Sequence, residues 1–152
     1  MSILVTGCSG FIGFHTVIAL LKKGEKVVGI DNLNAYYEKR LKFSRNQYIL
    51  NFIKKNNLKN KYKFYKLDIS NNKRLEKIFK KHHFKKVIHL AAQAGVRYSL
   101  KNPFLYIQSN LVGFGNILEN SRKYNIKHLV YASSSSVYGE REKKPLSEKN
   151  SV

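Results

Sequence analysis

The 152-residue sequence is poor in several features that commonly define a class of protein. It has a single cysteine, Cys8, which excludes a disulfide within the chain and fits a reducing cytoplasm. With 2 prolines, 9 glycines and 43% hydrophobic residues, it is not collagen-like, fibrous or disordered. The longest apolar run, residues 11–21, is interrupted by Gly13 and His15 and is too short to cross a bilayer or serve as a signal peptide. We therefore expect a globular, soluble, cytoplasmic protein.

Acidic residues are also few, with 9 Asp and Glu against 29 Lys and Arg, giving a formal net charge of +20. Such an excess is typical of proteins that bind nucleic acid or an anionic membrane. The lysines, however, are scattered along the whole chain and far outnumber the arginines preferred for reading bases. We interpret the charge as a compositional bias and expect no nucleic-acid or membrane partner, with polyanion binding as the alternative.

Short apolar segments alternate regularly with longer segments of helical period. The predicted strands are residues 3–5, 26–30, 62–67, 86–89 and 128–132, and the predicted helices are residues 11–23, 36–56, 72–82 and 102–124. Nearly unbroken apolar strands joined by helical crossovers are typical of a parallel sheet covered on both faces. The sequence therefore predicts an α/β fold with a doubly wound parallel sheet.

Two of these helices carry more detailed predictions. In the second, Leu41, Tyr48 and Phe52 fall on one face with Ile49 and Ile53 beside them, and Arg45 interrupts the stripe. The fourth has Pro103 at its first position, where a proline is tolerated, and the preceding Asn102 is predicted to cap the helix.

A glycine-rich segment, residues 5–13 (VTGCSGFIG), joins the first strand to the first helix. Gly7, Gly10 and Gly13 recur at three-residue spacing, which suits a sharp turn, close approach of a phosphate and packing of helix on strand. The helix N-terminus adds free N–H groups and a positive dipole. The segment therefore predicts a pyrophosphate site, with Cys8 as a small loop residue and not a reactive thiol.

The only two aspartates in the chain, Asp31 and Asp68, close the second and third predicted strands. Asp31 lies 18 residues after Gly13, where a carboxylate can accept the hydroxyls of an adenosine ribose. It would repel a 2′-phosphate, so NAD is favoured over NADP. The alternative for each aspartate is that it caps the following helix or turn. The histidines show no metal-ligand spacing, so no metal site is predicted.

Six blocks of the sequence resemble the N-terminal part of the extended short-chain dehydrogenase/reductase family of nucleotide-sugar epimerases and dehydratases, and most of all its UDP-glucuronate 4-epimerases. The blocks are residues 6–13, residues 29–34 with Tyr36-Tyr37, residues 67–68, 89–99 (HLAAQAGVRYS), 109–113 (SNLVG) and 131–139 (YASSSSVYG). The resemblance implies a Rossmann fold that binds NAD, with a UDP-sugar as substrate and a homodimeric full-length protein.

The resemblance also implies roles for individual residues. Residues implied to bind NAD are Gly7, Gly10, Phe11, Ile12 and Gly13 at the pyrophosphate, Asp31, Asn32 and Asn34 at the adenosine ribose, Asp68 and Ile69 at the adenine, and Leu90, Ala91, Ala92 and Asn110 along the rest of the cofactor. Ser134 takes the position of the catalytic hydroxyl, and Ser135 and Ser136 border the substrate. Arg97 is implied to attract the carboxylate of a uronic acid, with an ordinary surface arginine as the alternative.

The implied reaction is epimerisation at sugar C4, of the UDP-glucuronate to UDP-galacturonate type. It proceeds by transient oxidation and return of the hydride to the other face, which leaves NAD unchanged overall. A 4,6-dehydratase would carry an acidic pair where Ser135 and Ser136 stand, so dehydration is disfavoured. A non-catalytic NAD-binding module and another UDP-sugar epimerase or dehydratase of the family are the alternatives.

The family places its catalytic Tyr-x-x-x-Lys pair about twenty residues beyond the Val-Tyr-Gly of residues 137–139, and this sequence ends at Val152. Tyr62 and Lys66 have the spacing, but they lie in a predicted strand and would be about 13 Å apart along it. We therefore expect one NAD-binding domain over residues 1–152, without the last strands, the catalytic pair and the C-terminal substrate domain. Such a chain is expected to be inactive alone.

Overall fold

A computed structural model describes residues 2–36, 38–139 and 145–149 of the chain. The strands are β1 (Ser2–Thr6), β2 (Val27–Asp31), β3 (Tyr62–Lys66), β4 (Phe84–His89) and β5 (His128–Tyr131). The helices are α1 (Phe11–Lys22), α2 (Lys39–Lys55), α3 (Asn72–His82), α4 (Val96–Lys101), α5 (Pro103–Tyr106) and α6 (Phe114–Lys123). A π-helical segment, Ile107–Gly113, joins α5 to α6. Within this described part, no helix is long and apolar enough to span a bilayer.

The five strands form one sheet in the order β3-β2-β1-β4-β5, and every pairing is parallel. The prediction of a doubly wound sheet is confirmed, and the predicted strands match the observed ones to within about two residues. The chain leaves β1 towards β2 on one side and reaches β4 on the other. The strand order therefore reverses at β1, and a crevice forms there at the carboxyl ends of the strands.

Apolar side chains fill both faces of the sheet centre, where β1 and β2 are buried along their whole length. One cluster packs Val17 and Ile49 of α1 and α2 against the sheet, and the other packs Phe79 and Ile117 of α3 and α6. The edge strands are less covered, and Val130 of β5 is 46% exposed. Burial on both faces is thus a property of the central strands.

The buried face of α2 differs from the predicted one. Leu41 and Tyr48 are 52% and 56% exposed, whereas Ile49 and Ile53 are buried. Two helical turns before Ile49, on that same face, lies Lys42, which is only 8% exposed. The predicted stripe was wrong at Leu41 and Tyr48, but the neighbouring Ile49 and Ile53 face the core and Phe52 is partly buried against it. Lys42, whose ammonium group has partners described below, occupies the same inward face.

The predicted helix over residues 102–124 is a succession of three helical segments, preceded by the unpredicted α4. Pro103 stands at the first position of α5, as predicted, but the side chain of Asn102 makes no capping hydrogen bond. Asn102 also ends α4, where its N–H donates to the carbonyl of Tyr98, so its backbone is shared between two helices. Gly113 closes the π-helical segment against Ile69, and a Cβ there would lie 2.6 Å from Ile69 Cγ1.

Candidate functional site

A cavity of about 340 Å³ opens at the carboxyl ends of the strands, in the crevice beside β1. Open α/β sheets bind ligands at this position. The wall includes thirteen of the fourteen residues predicted to bind a cofactor: Gly7, Gly10, Phe11, Ile12, Gly13, Asp31, Asn32, Asn34, Asp68, Ile69, Leu90, Ala91 and Ala92. The sequence blocks that carried the prediction are thus brought together from four separate loops.

The loop between β1 and α1 has no room for side chains at two of its glycines. A Cβ on Gly13 would lie 2.0 Å from the carbonyl oxygen of Gly7, and a Cβ on Gly7, whose φ is +67°, would lie 2.8 Å from Ala91 N. Gly10 N–H donates to Gly7 O at 2.9 Å and tightens the turn. The first-turn N–H groups of α1 have no acceptor inside the helix. The loop is therefore a backbone cradle suited to a phosphate.

A buried histidine ties the loop after β1 to the loop after β4. The hydroxyl of Thr6 accepts the N–H groups of Leu90 and Ala91, each at 3.2 Å. Its own proton therefore goes to His89 Nδ1, 2.7 Å away, which assigns a neutral ring with its hydrogen on Nε2. Burial lowers the pKa of His89 to about 4, and the ring stacks on Phe114. This pair holds the cavity floor in place.

Asp31 lines the cavity at the end of β2 and is only 7% exposed. Its Oδ2 accepts the N–H of Ser9 at 3.0 Å and its Oδ1 accepts the N–H of Leu33 at 2.8 Å. The turn-capping role that sequence offered as an alternative is therefore present. The contact with an adenosine ribose stays a prediction.

Asp68 closes β3 on the far side of the cavity. Its carboxylate accepts Asn32 Nδ2 at 2.7 Å and both the N–H and the hydroxyl of Ser70, at 2.9 and 2.7 Å. Burial pushes the pKa of Asp68 upward, but these hydrogen bonds outweigh it and leave the pKa below its usual value. Asp68 therefore caps a turn and presents an ionised carboxylate to the cavity, while its role towards an adenine stays a prediction.

Two residues that line the cavity, Lys42 and Gln93, were not predicted from the sequence as site residues. Lys42 Nζ donates to the carbonyl and to Oδ1 of Asn34, at 3.1 and 2.6 Å. Burial lowers the pKa of Lys42, and the nearby Asp31 carboxylate offsets part of that effect. The available signal for Lys42 was its position on the Ile49 and Ile53 face of α2.

Asn110 was predicted to face the cofactor, and it is not among the residues that line the cavity. Its Oδ1 accepts Gln93 N–H at 2.8 Å, and its Nδ2 donates to Gln93 O at 2.9 Å. The amide is therefore occupied in both directions by the backbone of Gln93. Asn110 therefore holds the backbone of Gln93, which does line the cavity.

The predicted substrate-side residues lie outside the cavity wall. Ser134, Ser135 and Ser136 are exposed beyond β5, two to four residues after Ala132, which does line the cavity. Ser136 N–H donates to the Ser134 hydroxyl at 3.2 Å and starts a short 3₁₀ turn. Arg97 is exposed on α4, and its contact with a uronic-acid carboxylate stays a prediction. Tyr36 lines the cavity, and Tyr37 lies outside the described residues.

Cys8 is fully buried, and burial raises the pKa of its thiol to about 12. The hydroxyl of Tyr62 donates to Cys8 Sγ at 3.8 Å, and burial raises the pKa of Tyr62. Tyr62 and Lys66 lie in β3, as predicted, and form no catalytic pair. Across the described ranges, no three His, Cys, Asp or Glu side chains converge as metal ligands would.

The doubly wound sheet, the glycine cradle and the two strand-end aspartates define a domain of the dinucleotide-binding type. The chain belongs to the GDP-mannose 4,6 dehydratase family, whose model matches residues 4–152.

Individual relatives are similar over nearly the whole chain. Protein CapI of Staphylococcus aureus is 48% identical over 152 residues, which are 100% of this chain and 43% of that protein. A UDP-glucuronate 4-epimerase of Thermodesulfobacterium geofontis is 47% identical over 89% of this chain and 40% of its own length. The crystal structure of a Bacillus cereus UDP-glucuronic acid 4-epimerase variant, in complex with UDP-4-deoxy-4-fluoro-glucuronic acid and NAD, superimposes with a TM-score of 0.80. It is 36% identical over 99% of this chain and 45% of that chain. The chain therefore spans less than half the length of these relatives.

Proposed function

We propose that the full-length protein is an NAD-dependent nucleotide-sugar 4-epimerase that interconverts UDP-glucuronate and UDP-galacturonate in the cytoplasm. The observation that carries the proposal is the cavity at the strand ends, whose wall joins the glycine cradle to Asp31 and Asp68. The similarity to UDP-glucuronate 4-epimerases over most of the chain supports the substrate class.

The residues present fit a dinucleotide. The N–H groups at the start of α1 and the bare backbone of Gly7 and Gly13 suit a pyrophosphate, since any side chain there would collide with backbone. Asp31 ends β2, Asn34 lies in the loop that follows, and both line the cavity. Their polar side chains would hold the adenosine ribose. NAD, when bound, would supply a reversible hydride acceptor for the sugar carbon.

The chain's own contribution to catalysis is proposed to come from Ser134. Ser134 is exposed just beyond β5, two residues after Ala132 of the cavity wall. A hydroxyl there can donate a hydrogen bond to sugar O4, orient it and stabilise the negative charge that develops on it. Ser135 and Ser136 are proposed to border the same sugar, and Arg97 to attract its carboxylate.

The curated relatives are more than twice as long as this chain. We propose that the tyrosine base, its lysine partner and the substrate domain belong to this additional length. The 152-residue domain alone would then bind the cofactor without turnover. We also propose that the full-length protein is a homodimer.

The experiment is to incubate the full-length protein with UDP-glucuronate and follow the ratio of the two C4 epimers by proton NMR. Formation of UDP-galacturonate, with NAD recovered from the protein unreduced, supports the proposal. No interconversion of UDP-glucuronate, by a protein that retains NAD, would favour a non-catalytic binding module.

The family description favours one further candidate, a GDP-mannose 4,6-dehydratase. GDP-mannose is therefore the second substrate in the same assay, and a 4-keto-6-deoxy product would identify the dehydratase. Ser135 and Ser136 argue against that outcome, because they offer no carboxylate to drive elimination.

A further inference from the structure

Gln93 lines the cavity and carries a buried hydrogen-bond donor that has no partner in the described part of the protein. The residue follows β4, lines the cavity and is only 4% exposed. Its Nε2 is buried and has no hydrogen-bond partner among the described residues. Buried polar groups are almost always hydrogen-bonded, so an orphan at the wall of a binding cavity indicates a partner supplied by the ligand.

A chain of contacts fixes which end of the Gln93 amide is the unused one. The Lys42 ammonium can only donate, so the atom of Asn34 that lies 2.6 Å from it must be the oxygen, Oδ1. The other amide atom of Asn34 is therefore the nitrogen, Nδ2, which donates a hydrogen bond to Gln93 Oε1 at 3.4 Å. Flipping the Gln93 amide would place two NH₂ groups face to face. The free group is therefore the NH₂, not the carbonyl.

The backbone of Gln93 is held so that the side chain has little freedom to find another partner. Asn110 accepts from its N–H at 2.8 Å and donates to its carbonyl at 2.9 Å. With the backbone fixed on one side and Oε1 fixed by Asn34 on the other, Nε2 has a defined position. Such preorganisation lowers the entropy cost of making a contact when a ligand arrives.

We propose that Gln93 is a cofactor-contacting residue whose Nε2 donates to an oxygen of the ribose–phosphate portion of the bound dinucleotide. The inference rests on the proposed function, because the ligand is the cofactor of the proposed reaction. The group is a pure donor, and phosphate and ribose oxygens supply the acceptors it lacks. The same contact would transmit the position of the cofactor to Asn34, and through it to Lys42 on α2.

The test compares Gln93→Met and Gln93→Glu in the full-length protein. Calorimetric titration gives the dissociation constants of NAD and of ADP-ribose, which keeps both riboses and phosphates but lacks nicotinamide. Thermal melting of the cofactor-free protein gives the second readout. Gln47→Met, on the exposed face of α2, is the matched control.

In Gln93→Met, we expect the dissociation constants of NAD and ADP-ribose to rise by the same factor, about tenfold. We expect the melting temperature of the cofactor-free protein to stay near that of the wild type, because removal of an unpaired buried donor offsets the loss of the 3.4 Å contact with Asn34. Gln93→Glu keeps an oxygen for Asn34 and replaces only the free donor by an acceptor, so it should weaken binding at least as much. Gln47→Met should bind as the wild type does.

Three outcomes would overturn the inference while the proposed function stands. The first is unchanged dissociation constants in both variants. The second is a lower melting temperature with unchanged affinity, which indicates a packing role for Gln93. The third is a loss of affinity for NAD but not for ADP-ribose. A wild-type protein that binds no NAD would overturn both proposals.

Discussion

The carboxylate of Asp31 and the backbone of Ser9 are joined by a buried hydrogen bond, with 3.0 Å between Ser9 N and Oδ2. The other oxygen of the same carboxylate accepts the N–H of Leu33 at 2.8 Å. A side chain predicted to contact a ribose thus also holds the glycine loop against the turn after β2. The carboxylate is oriented before any ligand arrives, which favours tight binding.

Replacing Asp31 with Asn should therefore weaken the fold as well as the site. An amide has one acceptor oxygen, so at least one of the two buried N–H groups loses its partner. We expect the free energy of unfolding to fall by about 1–3 kcal/mol. Urea unfolding of the cofactor-free protein measures this, and titration with NAD should show a weaker affinity.

Glu25→Gln is the matched control, because it changes an exposed carboxylate in the turn before β2, away from the cavity. It should leave both the unfolding free energy and the NAD affinity unchanged. An Asp31→Asn protein as stable as the wild type would contradict the anchoring role.

Gly13 and Gly115 should respond to alanine with opposite signs. A Cβ on Gly13 would lie 2.0 Å from Gly7 O, and the backbone cannot retreat without opening the cradle. We expect Gly13→Ala to destabilise the protein by about 3 kcal/mol or more, in the range of other strained core changes, and to abolish NAD binding. A Cβ on Gly115, in α6, meets nothing within 4 Å, so Gly115→Ala should stabilise the protein by about 0.5–1 kcal/mol.

Denaturant midpoints of the two glycine variants provide the comparison. Equal midpoints would mean that the cradle tolerates a methyl group and that the close approach to Gly7 has no energetic weight. The same result would remove the steric argument for a phosphate at this loop.

The fold was predictable because the sequences of its central strands fit only buried strands. β1 and β2 are buried on both faces, so their sequences are almost continuously apolar and cannot be mistaken for surface helices. The buried face of α2 was only partly predictable from hydrophobicity, because Ile49 and Ile53 belong to it as their spacing suggested, but Lys42 occupies it and Tyr48 does not. The burial of Lys42 depends on the carbonyl of Asn34, which hydropathy along a single helix does not show.

The residues of the candidate site were likewise predictable only in part. Gly7, Gly13 and Asp31 were predictable because their roles follow from local backbone geometry at a strand end. Gln93 was missed because its importance comes from contacts with Asn34 and Asn110, which are distant in sequence and adjacent only in the folded chain.

His89 should make stability fall in mild acid. Burial lowers its pKa to about 4 from 6.5, so between these values the unfolded chain binds a proton that the folded chain does not. The contribution of His89 is fully present above pH 6.5 and is lost as the pH falls towards 4, by up to about 3 kcal/mol. His89→Asn keeps an acceptor for Thr6 but does not titrate. Its unfolding free energy should therefore change less over this range.

The readout for His89 is the slope of unfolding free energy against pH, since the loss of the stack on Phe114 lowers the variant's stability at every pH. His128→Asn, at the exposed start of β5, is the control and should keep the wild-type slope. A wild-type slope in His89→Asn would show that other groups cause the acid sensitivity.

Ser134 should affect turnover and leave cofactor binding unchanged, because its exposed hydroxyl lies outside the wall of the cavity. In the full-length protein we expect Ser134→Ala to lower kcat for UDP-glucuronate by about 10²-fold, the usual cost of losing one hydrogen bond to a developing oxyanion. Ser134→Thr, which keeps a hydroxyl, should recover most of the rate, and Ser133→Ala should retain all of it. NMR of the two epimers measures kcat, and calorimetry measures NAD affinity. An unchanged kcat in Ser134→Ala would remove Ser134 from the proposed mechanism, whereas equal losses of rate and NAD affinity would make its role structural.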